Sequence, residues 1–100
     1  MENELELLRR EIDSIDEKIV ELLGARMKIS EKVAGYKLRQ GMEIYVPERE
    51  EQLLERIRKL SEDRFDDYIL KIYESILAQS RNCQQNTLPM SGRGPDESGK

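Results

Sequence analysis

Arg26 interrupts an otherwise apolar series. Leu5, Leu8, Ile12, Ile15, Ile19 and Leu22 precede it, and Ile29, Val33 and Tyr36 follow, in steps of three and four. A guanidinium on the seam of a helix packed along another helix has two readings. It fixes the register of the interface, as single buried polar residues do, or it holds an anion, because an unpaired buried charge costs several kcal/mol. Lys37 stands eleven residues further on, ~16 Å along a helix and nearly on the same side. Two such long side chains bending inward could grip a small dianion. Taken alone, Lys37 reads equally as a solvated residue near a helix end.

Other polar residues fall where apolar ones belong. Glu50, with Arg49 beside it, lies at the start of the stripe Leu53, Leu54, Ile57 and Leu60. A first-turn Glu can also simply answer the helix dipole. Ser80 and Gln84 continue the line of Ile69, Ile72, Tyr73, Ile76 and Leu77, although late polar residues on an apolar face are often solvated. No single residue decides the matter. The combination places cations and neutral donors on the inward face of three helices.

The chain has no histidine, so the usual proton shuttle at neutral pH is missing. Chemistry must rest on Arg, Lys, carboxylates and amides. A lone Cys83 excludes an internal disulfide framework, and without His a zinc site is not expected. Net charge is −4, which gives no general attraction to nucleic acid. No apolar run approaches the ~20 residues of a membrane span. The opening MENELELLRRE lacks the apolar block of a signal peptide, so a cytoplasmic location is the expectation.

One hundred residues, 37% hydrophobic and 38% charged, suit one all-α domain with a Leu, Ile and Val core. No Pro occurs before Pro47, so one helix is predicted from about residue 4 to about residue 40, through Gly24 and Gly35. At 1.5 Å per residue it would be ~54 Å long, against a radius of gyration of ~13 Å for a compact chain of this size. Such a helix bends back or projects into a partner, and its uninterrupted seam argues for an antiparallel homodimer. Residues 41–46 read as a loop. Pro47 suits the first turn of a second helix, and a turn around Arg64 to Asp67 leads to a third, capped by Asp66 or Asp67. Residues 1–85 are thus the expected domain. Residues 86–100, rich in Gly, Pro and Ser, are the expected flexible tail or linker. Arg9 lies ~25 Å from Arg26 on the same rod and cannot share a small ligand with it inside one chain. An antiparallel two-fold pairing crossing near residue 20 would bring Arg9 of one chain to the Arg26–Lys37 stretch of the other, making two mixed sites.

These same segments, LLRREIDSIDEKIVELLGAR, KVAGYK and VPEREEQLLERI, resemble the all-helical class of chorismate mutases, over about Leu5 to Gln85. The resemblance implies three helices per chain, an intertwined dimer, chorismate as substrate, prephenate as product, and no metal or cofactor. By position, Arg26 and Arg49 match carboxylate-binding arginines, and Arg9 the arginine given by the partner protomer. Lys37 and Gln84 match the pair that hydrogen-bonds the ether oxygen of the breaking bond. Glu50 matches the acidic residue at the ring hydroxyl, and Ser80 a further polar neighbour. Val46 stands where many members carry Asp, also near that hydroxyl. An isochorismate–pyruvate lyase on the same scaffold and a non-catalytic helical dimerisation module are the rival readings.

Overall fold

A computed structural model describes residues 3–87. The first helix, α1, runs unbroken over Glu4–Gln40, 37 residues. Asn3 caps its start, its side-chain oxygen accepting the Glu6 N–H at 2.8 Å, one of the orphan donors every helix start presents. Gly41 ends it in the left-handed region at φ 67°. There the Gly41 N–H bonds Leu38 O and the Met42 N–H bonds Lys37 O, the paired closure that favours glycine at this position.

Helix α2 spans Pro47–Leu60. Its N-cap, Val46, is extended at φ −125° and ψ 95° and offers no side-chain cap. The missing N–H of Pro47 costs nothing at a first helical position. At the other end the Ser61 hydroxyl donates to Ile57 O at 2.8 Å. A short 3-10 turn, Asp63–Phe65, leads directly into α3, Asp66–Thr87. Asp66 already has helical angles, φ −63° and ψ −37°. It lies inside the first turn with Asp67, where acidic side chains suit the helix dipole, and neither aspartate takes the extended N-cap position expected of it. Helix α3 passes the expected boundary at residue 85 and reaches Thr87. Of the expected tail, residues 86–100, Asn86 and Thr87 belong to α3, and residues 88–100 lie outside the described residues.

Helix α3 packs against both α1 and α2. The Ser30–Ser80 and Met27–Cys83 contacts set α1 and α3 antiparallel. The core is small, with Ala34, Ile57 and Leu77 its buried apolar residues. Leu60 and Ile72, expected on buried stripes, stand 68% and 58% exposed, on faces that no helix of the same chain covers. The larger exposure is on α1. Every residue from Asn3 to Leu22 is exposed, including Leu5, Leu8, Ile12, Ile15, Ile19 and Leu22 of the predicted seam. The helix projects, giving extents of 56 × 36 × 16 Å and a radius of gyration of 17.8 Å, well above the ~13 Å of a compact chain this long. Among the described residues no helix is long and apolar enough to cross a membrane.

Candidate active site

The C-terminal half of α1, the loop after it, the first turns of α2 and the second half of α3 enclose a cavity of about 410 Å³. From α1 come Arg26, Ser30, Val33 and Lys37, spaced four, three and four apart and therefore on one face. Leu77, Ser80, Arg81 and Gln84 form an i, i+3, i+4, i+7 stripe on α3, and α2 adds Arg49, Glu50 and Leu53. Ile44 and Val46 of the loop complete the wall.

All the residues proposed from sequence line this one cavity, apart from Arg9. Arg9 is exposed on the projecting half of α1, as its distance along the rod requires. Lys37 is half-buried and its Nζ donates to Ile44 O at 2.9 Å. That bond ties the loop to α1 and holds the ammonium in place while leaving it two further donors. Arg26 is half-buried and Arg49 exposed, and neither forms an ion pair with a carboxylate among the described residues. Gln84 is half-buried, with Oε1 buried and without a hydrogen-bond partner among the described residues, an acceptor whose desolvation is uncompensated. Ser80 is buried and shares a 2.8 Å hydrogen bond with Ser30, which fixes the α1–α3 contact.

Two features were not foreseen from the sequence. Ser30 is the first. The second is Arg81, whose Nη1 spans both carboxylate oxygens of Glu50 at 2.5 and 2.6 Å and whose guanidinium lies over the Tyr45 ring, 5.0 Å from its centroid. The available signal was spacing, since Arg81 is four residues beyond Leu77 and beside Ser80 on the same stripe. Glu50 is thus ion-paired, while Arg26, Lys37 and Arg49 carry positive charge with no carboxylate against them. In a chain of net charge −4 the cavity gathers these three cations and one ion-paired carboxylate, a positive concavity suited to a small anion. The two serine hydroxyls bond each other and have no adjacent base, so nucleophilic catalysis through them lacks its activating partner. The chemistry such an arrangement can support is orientation of an anion and electrostatic stabilisation of charge developing beside these cations.

A family model described as chorismate mutase type II matches residues 8–85. A chorismate mutase from Methanocaldococcus jannaschii is 36% identical over 83 residues, which are 81% of this chain and 84% of that protein. A 4-amino-4-deoxychorismate mutase from Streptomyces venezuelae is 27% identical over 92 residues, 90% of this chain and 87% of that protein. The chain also matches bifunctional chorismate mutase/prephenate dehydratases, of whose length it spans 22–27%. Among solved structures, the crystal structure of chorismate mutase from Helicobacter pylori in complex with prephenate superposes with a TM-score of 0.77 at 32% identity, covering 87% of this chain and 97% of that one.

Proposed function

Because this chain belongs to the chorismate mutase type II family, we propose that it rearranges chorismate to prephenate, in the cytoplasm, in two sites each completed by a second copy of the chain. The observation that carries this reading is the convergence of Arg26, Lys37, Arg49 and Gln84 on one cavity. The reaction is pericyclic and needs neither nucleophile nor obligatory proton transfer. What it needs is an extended dianion folded into a compact chair-like geometry, which is an orientation effect.

In the proposed mechanism Arg26 and Arg49 bind the substrate carboxylates, joined by Arg9 of the second copy. As the C–O bond breaks, the ether oxygen becomes more negative. Lys37 and Gln84 donate hydrogen bonds to it, and the bond from Lys37 to Ile44 O supports a donor fixed before the substrate arrives. Such donors act more strongly on the transition state than on the ground state. Glu50 faces the ring hydroxyl, Val46 lies beside it, and Ser80 borders the substrate. The exposed seam of α1 supports the dimer. Contiguous exposed apolar residues such as Leu5, Ile12, Ile15 and Ile19 mark an interaction surface, and an antiparallel copy laid on them carries its Arg9 toward the cavity. The catalytic domain is taken to extend through the end of α3 at Thr87.

The test supplies chorismate and isochorismate separately to the purified protein. Prephenate from chorismate is the expected result. Salicylate and pyruvate from isochorismate, without prephenate from chorismate, would overturn the reaction assigned.

A further inference from the structure

Arg81 has no part in the proposed mechanism, yet it ion-pairs Glu50 in the wall of the same cavity. Glu50 is the only carboxylate lining that cavity among the described residues. Both its oxygens are engaged by Arg81 Nη1, and the pair is partly sheltered, with side chains 21% and 34% exposed. Arg81 also lies over the Tyr45 ring, a cation–π contact that adds to the hold on the guanidinium. Val46, next along the wall, offers only methyl groups. A ligand group near Glu50 therefore meets a neutralised carboxylate and, beyond it, the cations Arg26, Lys37 and Arg49.

A neutral hydroxyl is well served there, because it can still donate a hydrogen bond to a carboxylate oxygen. An ammonium is not. An aliphatic amine is protonated at neutral pH, and to enter a cationic cavity it needs an uncompensated carboxylate. The difference has a counterpart among the similar proteins, one of which is a 4-amino-4-deoxychorismate mutase.

We propose that Arg81 is a specificity-determining residue: by occupying Glu50 it makes the site select a substrate with a neutral ring hydroxyl over the counterpart with an amino group at that carbon. The proposal rests on the chorismate reading for the identity of the substrate, and on the ion pair alone for the direction of the preference.

The probes are two stable bicyclic ether dicarboxylates that mimic the transition state, identical except for a hydroxyl or an amino group at the ring carbon. Their dissociation constants are measured by calorimetry on the parent and four variants, with helicity checked by circular dichroism. The parent should bind the hydroxyl probe at least about tenfold more tightly, the scale of one charged hydrogen bond. Arg81→Met frees Glu50 and should narrow that ratio by about tenfold. Arg81→Lys restores a neutralising cation and should return the ratio toward the parent's, which a purely structural role would not do. Glu50→Gln, alone or with Arg81→Met, should leave the amino probe weak. Equal affinities in the parent, or loss of both probes in proportion in Arg81→Met, would overturn the proposal. Absence of prephenate formation from chorismate would overturn the reaction instead, and would leave the ratio of the two probes to decide the role of Arg81.

Discussion

If each site draws Arg9 from the second copy, two inactive proteins should restore each other in a calculable proportion. Arg9 sits on the exposed half of α1, seventeen residues from Arg26 and so ~25 Å away along the helix. Arg26 lines the cavity. An Arg9→Ala dimer lacks one carboxylate contact in both sites, and so does an Arg26→Ala dimer. A charged, potentially bidentate contact is worth roughly 1.5–3 kcal/mol for each hydrogen bond, so each homodimer should fall by about 100-fold. In a heterodimer, the cavity of the Arg9→Ala chain keeps its own Arg26 and receives an intact Arg9. The other cavity carries both lesions. Random exchange of equal amounts makes about half the dimers mixed, and half of the sites in those are whole. Activity per site should therefore recover to about a quarter of the parent value, roughly 25-fold above either starting protein. The assay follows chorismate consumption after unfolding and refolding the mixture, with native mass spectrometry counting the heterodimers. Verified heterodimers with no recovered activity would refute shared sites, and Arg9 would lose its assigned role.

Three further outcomes are expected. Val46→Asp places an acceptor at the N-cap of α2, where Val46 makes no side-chain cap. It should raise stability by about 1 kcal/mol and lower KM modestly, read by thermal melting and initial rates; a large activity loss with the fold intact would mean the loop is arranged otherwise around the substrate. Gln84→Glu keeps the size of the side chain but, once ionised, turns a donor into an acceptor. Its kcat/KM at neutral pH should fall by about 100-fold or more and rise again on acidification toward the ordinary Glu range near about 4.3, the cations of the cavity moving that recovery to lower pH. The parent, without His, should change little between about pH 5 and 8, and an undiminished Gln84→Glu protein with the parent's profile would remove Gln84 from the ether oxygen. Ala34→Leu inserts three carbons where α1 has no exposed surface at all; urea unfolding should show a loss of about 1–3 kcal/mol, and no loss would mean that the α1–α3 contact yields readily.

Local signals along the chain set the helices and most of the residues on their inward faces, although Leu60 and Ile72 of the expected stripes stand exposed. Caps, breakers and apolar spacing act over three or four residues, so Asn3, Gly41 and Pro47 mark boundaries that local chemistry enforces whatever the helices pack against. Glu4–Gln40 and Pro47–Leu60 accordingly fall where those signals stand, and Arg26 shows as the polar break in an apolar seam. Periodicity also selected Lys37, Glu50, Ser80 and Gln84, because a stripe has one direction on a helix. The tertiary structure alone decided which neighbours those side chains meet. Successive residues of a helix point 100° apart, so whether Arg81 joins Ser80 in the wall or turns to solvent depends on how α3 is rotated against α1 and α2, and nothing within α3 specifies that rotation. The same holds for the partners Arg81–Glu50, Ser30–Ser80 and Lys37–Ile44, each of which joins two separate elements. Asp66 was misassigned as a cap for a related reason, since the 3-10 turn before it supplies helical geometry that a lone N-cap signal does not anticipate. Leu5 to Leu22 show the opposite limit: their spacing declares an interface, but a single chain holds nothing to cover it.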